Sequence, residues 1–447
     1  MNHQTFLDKF AINYRWKSVP AKRNFRNIKQ VNKGMIEEHR LALTLGGVID
    51  RSLDDVEGLQ SSDYSTYQIF EKDDLVFKLI DLENIKTSRV GYVPRRGIMS
   101  PAYIRLSPTS ELVIPRYYYW LFYAAYINNI FNGMGGGVRQ NLTPTDLLEF
   151  PIPLAPKETQ KEITIFLDRE TDRIDQLIER KQRLIVVLQE KQANLINHIV
   201  RQGIQSNITM KRIDFPGIEL IPERWEVKKL RYLGSFQNGV SEGAEYFGEG
   251  YPFVGYGDVY NHFALPANVN GLAKSSDIDR KRYSVLAGDV FFTRTSEVAE
   301  EIGISSVCLE TIDNATFSGF LIRFRPSAKT FLPNFSKYYF RSDIPRLFFV
   351  KEMNLVTRVS LSQGLLKSLP VIIPPIEEQE EISHYLDTKI EKINLLIKNV
   401  EHSINQLKEF RIALITEAVT GQLDINSWNK RGSTDESIDN IEEAMRA

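Results

Sequence analysis

The stretch from Pro151 to Ile163, with Pro151-Ile152-Pro153, Ala155-Pro156 and Gln160-Lys161-Glu162-Ile163, returns 219 residues later. There it reads Pro370-Val371-Ile372, Pro374-Pro375 and Gln379-Glu380-Glu381-Ile382. The correspondence runs on without a gap. Leu167-Asp168 returns as Leu386-Asp387, Ile174 as Ile393, Leu177-Ile178 as Leu396-Ile397 and Leu188 as Leu407. Leu195-Ile196 then returns as Leu414-Ile415, and Val200 as Val419. A period this long exceeds any solenoid repeat, so the chain carries two copies of one module. At 447 residues it is also longer than one ordinary core supports.

Each copy divides into an irregular part and a helical part. Ile163, Leu167, Ile174, Leu177, Ile178, Leu184, Ile185, Leu188, Leu195, Ile196 and Ile199 fall at spacings of three, four and seven, which makes one stripe on a helix. The second copy repeats it with Ile382, Leu386, Ile390, Ile393, Leu396, Ile397, Val400, Ile404, Leu407, Leu414, Ile415 and Val419. Pro151, Pro153 and Pro156, and Pro370, Pro374 and Pro375, keep the lead-ins extended, since proline lacks an N–H and disfavours helix just before it. Glu158, and Glu377 with Glu378, place negative charge in the first turn, where the helix dipole favours it. Gly203 and Gly421 stand where helices end. An amphipathic rod on the order of 60 Å long must cover its stripe. The stripe of the other copy is the natural partner, in a coiled coil. The first helix leads out of one globular region and into the next, so the second must run back to pair with it. The helices are therefore expected to be antiparallel, with a globular region at each end and an approximate two-fold axis across the coil.

The globular stretches read as strand-rich α/β regions. Leu75-Val76-Phe77 after Asp73-Asp74 and Val290-Phe291-Phe292 after Gly288-Asp289 both look like a turn entering a strand. Tyr103-Ile104-Arg105-Leu106 echoes Leu321-Ile322-Arg323-Phe324, and Ile114-Pro115-Arg116-Tyr117 echoes Leu332-Pro333-Asn334-Phe335. The two regions thus share a fold while their loops diverge. The predicted class is α+β: two strand-rich α/β domains separated by two long antiparallel helices. The segments are 1–150, the helix-bearing 151–205, 206–370, the helix-bearing 371–425, and a polar acidic tail 426–447.

Composition narrows the function. No run of about 18 apolar residues is present, and Met1–Phe10 has no apolar core of signal-peptide length, so a cytoplasmic protein without a membrane span is expected. The single cysteine, Cys308, excludes an internal disulfide framework and a multi-cysteine zinc site, and its apolar neighbours predict a buried strand residue. The six histidines lack metal-site spacing. No Ser-His-Asp or Cys-His constellation can be assembled. Gly133-Met134-Gly135-Gly136-Gly137 has no Lys-Ser/Thr after it and reads as a loop, not a phosphate cradle. Ile373-Pro374-Pro375-Ile376 lacks the Asn or Asp of an adenine methyltransferase motif. These absences point to a protein that is not an enzyme and holds no cofactor or metal of its own.

The net charge of −1 hides a basic, aromatic-interleaved segment: Arg15, Lys17, Lys22, Arg23, Arg26, Lys29 and Lys33 with Tyr14, Trp16 and Phe25. It is either a solvated face or a nucleic-acid contact. Arg139 and Arg358 occupy matching places before the two helical segments. They are either phosphate or guanine contacts or structural ion pairs.

The repeated lead-ins Pro156-Lys157-Glu158-Thr159-Gln160 and Pro375-Ile376-Glu377-Glu378-Gln379, in the order globular–helix–globular–helix, resemble the DNA-specificity subunit of type I restriction–modification enzymes. Gly288-Asp289-Val290-Phe291 is similar to that family's domain motif; Ala155, where the second copy has Pro374, departs from the pattern at the first helix entry. The resemblance implies two target-recognition domains, each reading one half of a bipartite, asymmetric site in double-stranded DNA. It implies helices that set the spacer and dock two modification subunits, with two restriction subunits joining optionally. S-adenosylmethionine, ATP and magnesium are then expected on those partners. Candidate DNA contacts chosen for their chemistry are Arg95, Arg96, Arg139, Tyr256, Arg294, Thr295 and Arg358; candidate helix-pairing or docking residues are Ile174, Leu177, Leu188, Leu195, Ile393, Leu396, Leu407 and Leu414. A coiled-coil scaffold with two protein-binding heads is the alternative.

Overall fold

The computed structural model describes residues 16–53, 63–82, 89–134, 141–205, 208–296, 302–327, 330–352, 359–425 and 428. The chain forms two compact units: Met1–Arg183 with Asn399–Ala447, and Leu184–Lys398.

In the first unit, the lead-in Pro151–Leu154 pairs antiparallel with Lys17–Pro20. A four-stranded sheet follows in the order Phe25–Arg26, Ile104–Pro108, Leu75–Lys78, Arg89–Tyr92. A second sheet runs Gly47–Arg51, Arg40–Thr44, Gly97–Met99, Gln68–Phe70. Leu41, Leu43, Phe70, Val76, Val93 and Met99 join the two sheets in one apolar cluster. The helix Pro115–Ile127 starts on a proline at its first turn and buries Tyr117, Tyr118, Trp120 and Phe122.

The second unit repeats this plan. Pro370–Ile373 pairs antiparallel with Glu226–Lys229. The main sheet runs Gly234–Asn238, Leu321–Pro326, Val290–Thr293, Ser305–Val307. Its strands match those of the first unit one for one, in the same order. The residue preceding each buried aspartate has a left-handed backbone, φ +72° at Asp73 and +90° at Gly288. Asp74 and Asp289 then hold the sheet together. Asp74 meets Arg105 at 2.6 Å with both side chains buried, and Asp289 meets Arg325 at 2.6 Å. Each aspartate also accepts a backbone N–H from the preceding turn, from Glu71 at 2.6 Å and Leu286 at 2.8 Å. This explains why an Asp-apolar-apolar-Phe pattern recurs where the loops do not. Cys308 follows the strand Ser305–Val307 directly and is fully buried.

Lys157–Gln202 is one helix of 46 residues and Ile376–Val419 one of 44, each about 65–70 Å long at 1.5 Å per residue. Gly203 at φ +76° and Gly421 at +70° follow their ends, the left-handed conformation that glycine takes without a Cβ clash. In the first unit, Ile174, Ile178, Leu407 and Leu414 are buried and Arg411 meets Asp175 at 2.8 Å. In the second unit, Ile196, Ile199 and Val200 share a core with Ile382, Leu386 and Ile390, and Gln192 reaches Asn394 at 3.4 Å. Rising numbers on one helix meet falling numbers on the other, so the pairing is antiparallel.

Candidate nucleic-acid interface

The repeated glutamines of the lead-ins lock each helix start to its globular head. Gln160 is fully buried; its Oε1 accepts from the Ile114 N–H at 2.7 Å, and its Nε2 donates to the carbonyls of Leu112 and Ala155 at 2.9 and 2.8 Å. Gln379, also fully buried, accepts from the Leu332 N–H at 3.0 Å and donates to Thr330 and Pro374 at 3.2 and 2.9 Å. Ala155 therefore plays the part of Pro374, and the departure at that position leaves the helix entry unchanged. About two turns further on, the Asp168 carboxylate accepts from Trp120 Nε1 at 2.8 Å and pairs with Arg116 at 3.0 Å. Asp387 accepts from the Tyr338 hydroxyl at 2.6 Å and pairs with Lys337 at 2.6 Å. The Tyr338 hydroxyl is buried beside that carboxylate, which pushes its pKa well above the usual phenol range. These bonds fix the head helices Pro115–Ile127 and Pro333–Tyr339, so whatever each head binds is registered to its long helix.

The candidate contact residues divide. Arg95 pairs with Asp50, and Arg96 bridges Glu37 and Glu71 at 2.8 Å each. Their charges are already answered by acids, so as phosphate contacts they must exchange partners. The Arg96 guanidinium also helps hold the Glu37 carboxyl below the usual range, after the backbone N–H of His39. Tyr256 lies on a helix. Gly255 begins a short helix, Tyr256–Asn261, capped by Asp258, and the Tyr256 ring stacks on Tyr260 at 5.8 Å. Arg294 and Thr295 are brought together on the rim of a cleft of about 480 Å³ in the second unit, with Ser241, Glu242, Phe320 and Ser360. Thr295 is in a short strand, where Thr295–Ser296 pairs with Val359–Ser360. Arg139, Arg358, Arg15, Tyr14 and Gly135–Gly137 lie outside the described residues. Of the basic segment, Lys22 is engaged by Glu149 at 2.6 Å, and Phe25 is a core residue against Tyr118.

Of the helix residues, Ile174, Ile393, Leu407 and Leu414 are buried, and Leu177, Leu188 and Leu195 are half-buried. Leu396 does not join the seam: it stays 51% exposed, beside Leu395. The repeat that pairs Leu396 with Leu177 preserves the residue but not its environment. Leu184, assigned to the stripe by its spacing, is also exposed, with Val186 and Val187.

Sequence reasoning missed the two glutamines and the Asp168 and Asp387 anchors. Their signal was present, since they are among the few polar residues repeated unchanged at offset 219. Among the described residues no cluster of His, Cys, Asp and Glu is arranged to hold a metal, and no helix is long and apolar enough to cross a membrane. Cys308 donates its thiol to the Glu310 carbonyl at 2.9 Å, and burial, with the Asp289 charge behind it, pushes the thiol up to about 12.

The model of the type I restriction modification DNA specificity domain matches twice, over residues 50–214 and 222–406. The chain belongs to this family. It carries two copies of the specificity domain. It is 25% identical over 309 residues to the EcoKI type I specificity subunit of Escherichia coli K12, covering 67% of this chain and 63% of that one. With the EcoBI specificity subunit of Escherichia coli it shares 22% over 292 residues, 64% of this chain and 60% of that protein. The match thus spans less than two thirds of either relative's length. A solved chain from a study of complex assembly and conformational transition in the type I R-M system superposes with a TM-score of 0.70 at 16% identity. That superposition covers 92% of this chain and 99% of the solved one, and carries the fold alone.

Proposed function

We propose that this chain selects DNA for a type I restriction–modification complex, with each head reading one half of a bipartite, asymmetric site. The observation that carries this reading is the contrast between frame and loops. The four-stranded sheets have the same order, and the helix starts are locked by the same buried glutamine, while the residues on the loops differ between heads. One frame bearing two different surfaces suits a double-stranded ligand with two different half-sites. The paired helices then set the distance between half-sites. Exposed Leu184, Val186, Val187, Leu395 and Leu396 supply apolar surface suited to docking modification subunits. Two such subunits, and optionally two restriction subunits, would bring S-adenosylmethionine, ATP and magnesium. The near-neutral net charge of −1 fits a chain whose partners complete the positive surface around DNA.

Mapping methylated adenines in cells that express the chain with its modification subunits tests the reading. Two short defined elements separated by an unspecified gap are expected. A single uninterrupted motif, or no motif attributable to this chain, would overturn it.

A further inference from the structure

The cleft of about 480 Å³ in the second head is lined by an arginine that the rest of the described fold does not use. Two other partly buried arginines of this head are engaged. Arg325 grips Asp289 through two nitrogens at 2.6 Å, and Arg341 donates to the carbonyls of Val259, Tyr260 and Ser305. The half-buried Arg294 guanidinium has no hydrogen-bond, acidic or aromatic partner among the described residues.

Its backbone, by contrast, is held on both sides. The Arg294 N–H donates to Phe320 O at 2.9 Å, and its carbonyl accepts from the Leu361 N–H at 2.7 Å. The first head makes the second of these bonds at the matching place, where Leu79 O accepts from the Leu142 N–H at 3.1 Å. Leu79 is a core residue, 1% exposed. So the same backbone position carries a buried leucine in one head and an unengaged arginine on a cleft in the other. The frame does not require a cation there, and the difference between the heads is the reason to look for a ligand.

Resting on the DNA-reading function proposed above, we infer that Arg294 reads a guanine edge in the half-site of the second head. A guanidinium presents two parallel N–H donors that match guanine O6 and N7 in the major groove. A rigidly held backbone aims them. Glu242 on the same cleft is an acceptor of the kind that the amino group of the paired cytosine needs. Phe320, 63% exposed beside Arg294, offers an apolar face to a neighbouring base or thymine methyl.

The test is selection of binding sites from randomised duplex DNA by the full chain in complex with its modification subunits. Wild type is compared with Arg294→Leu and Arg294→Gln. Leucine is the residue the first head carries at this position, so the substitution suits the frame, and thermal melting of each complex checks it. Wild type should enrich two separated elements, one with a preferred G·C pair that depends on Arg294. Arg294→Leu should lose that preference by roughly 5- to 150-fold at one base pair and leave the other element unchanged. Arg294→Gln should move the preference at that pair towards A·T, since glutamine matches adenine. A motif unchanged in both variants overturns the inference. So does uniform weakening with a smaller salt slope and an unchanged motif, which means a phosphate contact only. If wild type itself enriches no sequence, the failure lies with the DNA-reading function and takes this assignment with it.

Discussion

Gln160 and Gln379 each satisfy one backbone N–H and two carbonyls inside the protein, and the geometry of the two sets is nearly the same. Replacing either by methionine keeps the length of the side chain and strands three buried polar groups. A loss of about 3 kcal/mol is expected for each variant, since one unsatisfied buried group costs about 1–3 kcal/mol and partial relaxation recovers some of the sum. Urea unfolding of each variant measures it; a midpoint like that of wild type would mean the glutamines are not structural. Cys308 gives a second test at this scale. Its folded thiol, raised to about 12, protonates more readily than an unfolded thiol near 9. Stability from this group is therefore fully present below about pH 9 and is lost as pH climbs towards the folded value, at about 1.4 kcal/mol per pH unit. Cys308→Ala should show a shallower alkaline decline than wild type in unfolding curves taken at pH 8 and pH 10.5. The buried state of Cys308 was legible from its apolar neighbours; the Asp289 charge behind it was not, because a sheet brings the two together.

The long helices were the most legible elements, because a stripe repeated at helical spacing and closed by glycine admits one reading. Their ends fall at Gln202 and Val419, with Gly203 and Gly421 following. Gly203→Ala should cost about 1 kcal/mol, because φ +76° is a left-handed conformation and the added Cβ would lie 3.4 Å from the Trp225 ring. An unfolding midpoint above that of wild type would contradict this account of the helix end. Periodicity reached its limit at Leu184 and Leu396. It identifies apolar positions, but it cannot say whether the partner is the neighbouring helix or another molecule. The sheets were only partly legible. Asp74-Leu75-Val76-Phe77 and Asp289-Val290-Phe291-Phe292 announce themselves through a turn and an aspartate. The sheet through Arg40–Thr44 and Gln68–Phe70 is assembled from distant segments with no local signal of their pairing. The cleft holding Arg294 was hidden for the same reason: its walls come from residues near 241, 294, 319 and 360.

For the whole molecule, the proposed spacer role has a direct consequence. An insertion of four residues near Gln189 shifts the helix by about one turn, or about 6 Å. The accepted gap between half-sites should change, or assembly with the modification subunits should be lost; methylation continuing at the original site with its original gap would sink the spacer role. Binding to its own site should also weaken steeply between 50 and 200 mM salt, as phosphate contacts require. A scaffold that binds only proteins would show no such DNA signal. One unit is a single uninterrupted stretch, Leu184–Lys398, whereas the other is closed by Asn399–Ala447, with the Tyr117 hydroxyl donating to Val419 O at 2.8 Å and Asn128 to Thr416 at 2.8 Å. During synthesis, therefore, the head that leaves the ribosome first waits for its last contacts until the whole of the second head has been made. The head translated second can finish before it.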